Sequence, residues 1–378
     1  EVEPCRVIAG ARTGLQRPIA LAVDRKSRLY VADAGGPGSL RRDAIYAYDA
    51  GAAGDTAPNR TFAAARIYDG MRQPRRLALD SHDSLYVRSA VNLTVFGTGP
   101  ADTTRPARSF FRDAPDLFAL DRHDTLYTVS GNTVKVFPPS YSGGGVPLRE
   151  LGGPNTGIHG VTGIALDRRG RLYLAIGKES VIRIYPPGAK GDVAPERTLA
   201  GPRTGIIQPR GIALDRADRL YVTNAARPGG GSAIRVYARG ARGQDPPVRI
   251  LKGGATRLSG PVDIEFDRRG DMYVAGSAED GTGTIMVYRR QATGNEAPIR
   301  AVTGALTLLR RPVALAFGRA DTLYALNAFG YQRSRCGFFP WGGHVTVTAY
   351  PPGASGEVEP SRVSFRRVSF RRTAELDR

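Results

Sequence analysis

Two cysteines, one tryptophan, three methionines and four histidines in 378 residues close off several kinds of chemistry at once. A disulfide framework needs more sulfur than this, so the fold must rest on a buried core. HExxH, CxxC pairs and a Gly-x-Ser-x-Gly elbow are all missing. Lysine is scarce as well: Lys26, Lys135, Lys178, Lys190 and Lys252 are the only ones among 54 basic side chains, and the rest are arginines spread along the chain. No apolar run approaches 18 residues, so no membrane-spanning helix is expected. Dense basic runs are absent outside the extreme C-terminus.

Repetition fills the space left by these absences. An apolar run closing on Asp (on Gly318 in the seventh copy), a short turn, then Leu-Tyr or a near equivalent and another apolar run recurs seven times. The tyrosines are Tyr30, Tyr86, Tyr127, Tyr173, Tyr221, Tyr273 and Tyr324, spaced by 56, 41, 46, 48, 52 and 51 residues. The fourth copy opens on VTGIALDRRGRLYLAIG and the fifth on PRGIALDRADRLYVTNA. Runs of four to six residues rich in Val, Ile, Leu and Tyr, bounded by Gly, Pro and Asp, read as strands. Each copy then holds four antiparallel strands, the last being Arg197–Ala200 or Arg249–Lys252 in these two. A sheet that small, apolar on both faces, must bury itself against neighbours, and a radial array does so. The expected fold is all-β: a seven-bladed propeller of four-stranded antiparallel blades over residues 1–365, followed by a basic tail at 366–378, disordered from about residue 373.

The ring must be closed by a strand from one end of the chain. Residues 5–10, Cys-Arg-Val-Ile-Ala-Gly, match the outer-strand phrase of the fourth copy and are expected to complete blade 7. Ser361–Phe365 competes for the same place, and the sequence leaves the choice open. Cys5 and Cys336 fall on loops expected at opposite faces, and bridging them needs Cα atoms within about 7 Å, so a disulfide is not expected. The Asp ending each first strand (Asp24, Asp80, Asp121, Asp167, Asp215, Asp267) is expected to accept turn N–H groups, and the paired acids nearby read as turn chemistry rather than metal ligands. The seven tyrosines are expected to pack between sheets.

The formal charge is +19, which attracts nucleic acid, anionic glycans and anionic surfaces. Aromatic residues do not alternate with arginine as a single-strand stacking platform would require. A chain opening on Glu1 rather than Met is expected to have lost a leader, giving a periplasmic or extracellular, monomeric protein.

The phrases PxGIALDRxGRLYV and YPPGAKGDVAPERTLAG (Tyr185–Gly201) resemble the NHL-type repeat proteins of bacteria over residues 6–365. That resemblance implies a six- or seven-bladed propeller, often exported. It leaves activity open, because similar propellers serve as gluconolactonase-like enzymes, lyases, RNA-binding modules and docking surfaces. It also implies a working face at the channel mouth, formed by the approach to each innermost strand and the loop between the second and third strands. The position after the repeat's Pro, read round the ring, is Ile19, Arg75, Asp116, Thr162, Arg210, Val262 and Val313, and the next position adds Arg76 and Asp263. Three arginines and two acids thus become ligand-binding candidates. Resemblance to gluconolactonases would put Asn-Gly or Asp-Gly where Thr162-Gly163 and Arg210-Gly211 stand. Hard cations need several oxygen ligands, and Asp116 with Asp263 falls short, so no cofactor or metal site is expected; a single divalent cation stays as an alternative.

Blade 7 departs from the repeat between Asn327 and Val345, in a loop holding the only Trp. Phe329, Tyr331, Arg333, Arg335, Phe338, Phe339, Trp341 and His344 are candidates to cover the mouth and contact a ligand, the alternative being a hydrophobic plug at the closing seam. The function expected is a non-enzymatic scaffold binding a small molecule, glycan or protein through this face. Two alternatives stand beside it: a lyase or lactonase-like hydrolase at the charged mouth, and binding of an anionic partner such as RNA or glycan through the basic surface.

Overall fold

The computed structural model describes residues 6–16, 18–33, 44–63, 76–89, 92–97, 108–111, 115–139, 146–224, 232–258, 260–261, 263–277, 283–303, 309, 312–317, 322–327 and 346–350. They form seven four-stranded antiparallel sheets, and helix is confined to single 3-10 turns among the described residues. The innermost strands are Pro18–Val23, Arg76–Leu79, Leu117–Leu120, Val161–Leu166, Pro209–Leu214, Asp263–Phe266 and Pro312–Phe317. This is a seven-bladed propeller.

Blade 4 shows why the repeat folds this way. Its second strand, Leu172–Ile176, is buried at every residue, and its third, Val181–Tyr185, at all but Arg183. Burial on both faces requires a neighbour on each side. Ile182, Ile184 and Leu199 of blade 4 accordingly share one core with Leu220, Val222 and Tyr237 of blade 5. Each fully buried side chain of this size stabilises the fold by about 1.5–3 kcal/mol. All seven repeat tyrosines lie in these buried layers.

The blade-to-blade links are built from a second local device. Gly10, Gly153, Gly201 and Gly253 each begin a 3-10 turn, and the Thr three residues on (Thr13, Thr156, Thr204, Thr256) donates its hydroxyl back to that glycine's carbonyl at 2.6–2.7 Å. A buried third-strand tyrosine then donates to the Thr carbonyl. Tyr48 does so at 2.7 Å, Tyr185 at 2.6 Å and Tyr237 at 2.8 Å. Burial pushes these phenols well above their ordinary pKa, so they remain donors across the physiological range.

Closure uses the N-terminal strand. Arg6–Ile8 pairs antiparallel with Thr346–Tyr350, in the register Arg6 to Ala349, Val7 to Thr348 and Ile8 to Val347. Ile8 is buried among Leu21, Leu29, Val31 and Tyr48 of blade 1 and Tyr324 and Ala349 of blade 7. Ala9 N–H also donates to Gly54 O of blade 1 at 3.1 Å. The competing segment Ser361–Phe365, both cysteines and the basic tail lie outside the described residues.

On the face opposite the channel mouth, the first turn of each of blades 1 to 6 is organised by its Asp. Asp24, Asp80, Asp121, Asp167, Asp215 and Asp267 each accept, through Oδ1, the N–H groups two and four residues later at 2.7–2.9 Å. The fourth turn residue is left-handed: Ser27, Asp83, Asp124, Gly170, Asp218 and Gly270 all have positive φ. Where that residue is Asp, its carboxylate reaches back to the preceding blade. Asp83 accepts Arg25 N–H at 3.2 Å, Asp124 accepts Ser81 N–H at 2.7 Å and Asp218 accepts Arg168 N–H at 3.2 Å. Gly170 and Gly270 supply no such carboxylate to the junctions between blades 3 and 4 and between blades 5 and 6.

Asp124 makes one of these fastenings pH-sensitive. Burial alone would raise its pKa, but the Ser81 hydroxyl and N–H and the His82 imidazole outweigh that and hold it below the usual carboxylate range. A folded-state pKa below the unfolded value of about 3.9 gives a contribution fully present above that value and lost as pH falls through the folded one. Acid titration of chemical stability should therefore show a steeper decline below about pH 4 in the parent chain than in Asp124→Asn. Superimposable curves would remove this role.

Candidate functional site

The structure gives a reason for the position after the repeat's Pro. In blades 1, 4, 5 and 7 the register of the innermost strand slips between Pro18 and Ala20, Val161 and Gly163, Pro209 and Gly211, and Pro312 and Ala314. Ile19, Thr162, Arg210 and Val313 are thus bulge residues, unpaired in the ladder, and bulges at the rims of closed sheets re-aim side chains. In blades 1, 5 and 7 the preceding Pro marks the place in the sequence, whereas in blade 4 that residue is Val161.

Two candidate acids have described side chains, and both are engaged by backbone. Asp263 heads its strand, with Oδ1 accepting Ile264 N–H at 3.0 Å and Oδ2 accepting Leu315 N–H of blade 7 at 2.8 Å. Asp116 precedes the innermost strand of blade 3. Its N–H donates to Val129 O at 2.6 Å, and its Oδ2 accepts Gly131 N–H at 3.0 Å from the loop between the second and third strands. Thr162 follows the same plan, donating its hydroxyl to Pro209 O of blade 5 at 2.6 Å. Arg88, which the sequence did not single out, donates from Nε to Pro115 O of blade 3 at 2.6 Å. The rim is therefore laced from blade to blade.

Of the remaining candidates, Arg76 pairs by backbone with Arg88 at the head of its strand, and Arg210 occupies the blade 5 bulge; the side chains of both lie outside the description. Arg75 and the blade 7 loop candidates, Phe329, Tyr331, Arg333, Arg335, Phe338, Phe339, Trp341 and His344, lie outside the described residues. The structure thus brings Asp116, Asp263 and the Arg76 and Arg210 backbones to one rim. A further group on the loop side links His159 to Glu179 and Glu179 to Arg183 at 2.6 Å, while Arg183 also donates to Gly157 O at 2.8 Å. No group of three or more His, Cys, Asp or Glu side chains arranged to hold a metal occurs among the described residues.

No protein-family model matches this chain, and no curated protein matches it. Solved structures do. The virginiamycin B lyase of Staphylococcus aureus, in its selenomethionine-substituted form, superposes with a TM-score of 0.56 at 12% identity, covering 91% of this chain and 98% of that one. The extracellular domain of a B. thetaiotaomicron protein described as a hybrid two component system superposes with a TM-score of 0.55 at 11% identity, covering 93% of this chain. This chain spans 41% of the length of that second structure. The likeness is one of fold. At this identity it carries neither neighbour's activity to this propeller.

Proposed function

We infer that this propeller is a non-enzymatic binding scaffold that works outside the cytoplasm and presents a ligand-binding face at the channel mouth. The observation that carries the reading is the use made of the mouth acids: both Asp263 oxygens, and one of Asp116, accept backbone N–H groups that hold the rim together. A carboxylate occupied in this way suits a fixed acceptor that positions the rim. In this reading recognition falls to Arg75, Arg76 and Arg210, chosen from their sequence positions beside the innermost strands, and contact area to the aromatic segment 328–344. No described helix is long and apolar enough to cross a membrane.

The reading is tested by thermal-shift titration of the full chain against lactones, small carboxylates and neutral and acidic saccharides, with product analysis by chromatography. A saturable shift that weakens at least tenfold in Arg210→Ala, without product, is the expected result. Turnover by the parent chain that disappears in both Arg210→Ala and Asp116→Asn would establish the enzyme instead.

A further inference from the structure

The other end of the channel carries a feature that the mouth does not explain. The first turns of blades 3, 4 and 5 enclose a polar, open bowl of about 530 Å³, lined by Arg122, Arg168, Arg169, Arg216, Asp218 and Arg239, with Ala217 as its one apolar wall. Five guanidinium groups face one carboxylate. We propose that this bowl is a binding site for a compact anion bearing two or more phosphate or sulfate groups, independent of any ligand at the mouth.

Placement, more than composition, argues for the site. The residue after the turn Asp is Arg25, Arg122, Arg168, Arg216 and Arg268 in five of the six copies that carry this Asp, with Ser81 in the sixth, whereas arginine makes up about one residue in eight of the whole chain. Uniform arginine usage predicts no such alignment. The turn geometry sends these side chains outward at the turn tip, and those of Arg122, Arg168, Arg169 and Arg216 are exposed. Radial stacking then gathers them around one depression.

The electrostatics inside the bowl are unbalanced. Asp218 spends Oδ1 on Arg168 N–H and faces Arg239 Nε from Oδ2 at 3.6 Å. Arg122 donates to His123 Nε2 at 2.9 Å and Arg216 to Arg268 O at 3.1 Å, both neutral acceptors when the imidazole is uncharged. The guanidinium groups of Arg168 and Arg169 have no hydrogen-bond or ion-pair partner among the described residues. Like charges gathered with a single counter-charge raise one another's energy, and an incoming anion relieves that.

The shape of the bowl and its lining select the ligand class. The volume matches an ordinary small-molecule site. A carboxylate is saturated by one arginine fork, while a phosphate or sulfate has three outward oxygens on which several forks converge. Five converging arginines therefore suit the tetrahedral anions. No aromatic side chain lines the bowl, so it lacks the stacking surface by which single-stranded nucleic acid is held.

Isothermal titration of the full chain at low ionic strength, with tripolyphosphate, a disulfated disaccharide, citrate and an eight-residue oligothymidylate as probes, tests the site. Tripolyphosphate or the disulfated sugar should bind one to one, at least tenfold tighter than citrate and the oligonucleotide, and less tightly as salt rises. Their relative affinity identifies phosphate or sulfate as the source. Arg168→Ala combined with Arg169→Ala should weaken binding at least tenfold, while Arg25→Ala, at the equivalent turn of blade 1, should leave it unchanged. Asp218→Asn, which keeps an acceptor for Arg168 N–H but removes the negative charge, should tighten binding severalfold. No binding, equal losses in the Arg25 and Arg168/Arg169 variants, or a preference for the oligonucleotide would each overturn the proposal. None of these outcomes depends on the mouth, because Arg210→Ala is expected to leave tripolyphosphate binding as it was.

Discussion

A chain lacking residues 1–10 is expected to lose most of its stability, because the seventh sheet is left with three strands and the ring with an open seam. Arg6–Ile8 contributes three paired ladder positions, each worth about 1 kcal/mol net. Ile8 adds the burial of a side chain that touches both blade 7 and blade 1, worth about 1.5–3 kcal/mol. Their sum, about 5 kcal/mol, is comparable with the whole margin of a marginally stable domain. Urea denaturation should show the midpoint collapse, and a synthetic peptide of residues 1–10 added in trans should restore part of it. A truncated chain with the parent's midpoint would show that closure depends on another segment.

Gly153→Val is expected to be nearly as damaging, for a local reason. Gly153 has φ 127° and ψ 168°, a region open essentially to glycine alone, and a Cβ there would sit 2.4 Å from Asp192 Cγ. Asp192 is not free to retreat, since its Oδ1 accepts Asn155 N–H at 2.8 Å and its Oδ2 accepts the Asn155 amide at 2.9 Å. Backbone strain of about 1–3 kcal/mol and the lost acceptor bonds, about 1 kcal/mol each, add to a loss of about 3–5 kcal/mol. Gly188→Asn is the control: φ there is 79° and nothing lies within 4 Å of the added Cβ, so its midpoint should stay near the parent's because Asn tolerates left-handed backbone. Equal effects at the two sites would mean that conformation alone, without the Asp192 contact, sets the cost.

Both predictions rest on features that were legible to different degrees. The seven blades could be read from the chain because each repeat spends one tyrosine on a buried layer, and burial imposes the same residue at the same step. The turn Asp was equally legible, since its partners lie two and four residues away. What could not be read is where a side chain goes once the backbone turns left-handed. Asp83, Asp124 and Asp218 look like turn residues in sequence, yet their carboxylates join neighbouring blades. Asp116 and Asp263 stand one and two residues after the repeat's Pro, which singles them out in the sequence, but their partners, Gly131 N–H for Asp116 and Leu315 N–H for Asp263, come from strand packing that no local pattern encodes. The arginine bowl did leave a trace, the Arg after the turn Asp, which was hidden by arginine being frequent everywhere.

The glycine at position 170 sets the junction between blades 3 and 4 apart from those on either side. Glycine there leaves blades 3 and 4 without the carboxylate clasp made by Asp83, Asp124 and Asp218, while Gly152 N–H to Gly191 O at 3.1 Å and Gly191 N–H to Glu150 O at 2.7 Å hold the same two blades at their outer edge. Tyr127 and Val129 of blade 3 share a buried core with Ile164 and Leu174 of blade 4 between those two levels, so the missing fastening is confined to the turn tips. Arg122 and Arg168 stand on its two sides, so a guest held by both would supply the absent clasp, and slower amide exchange at these two turns would be its signature.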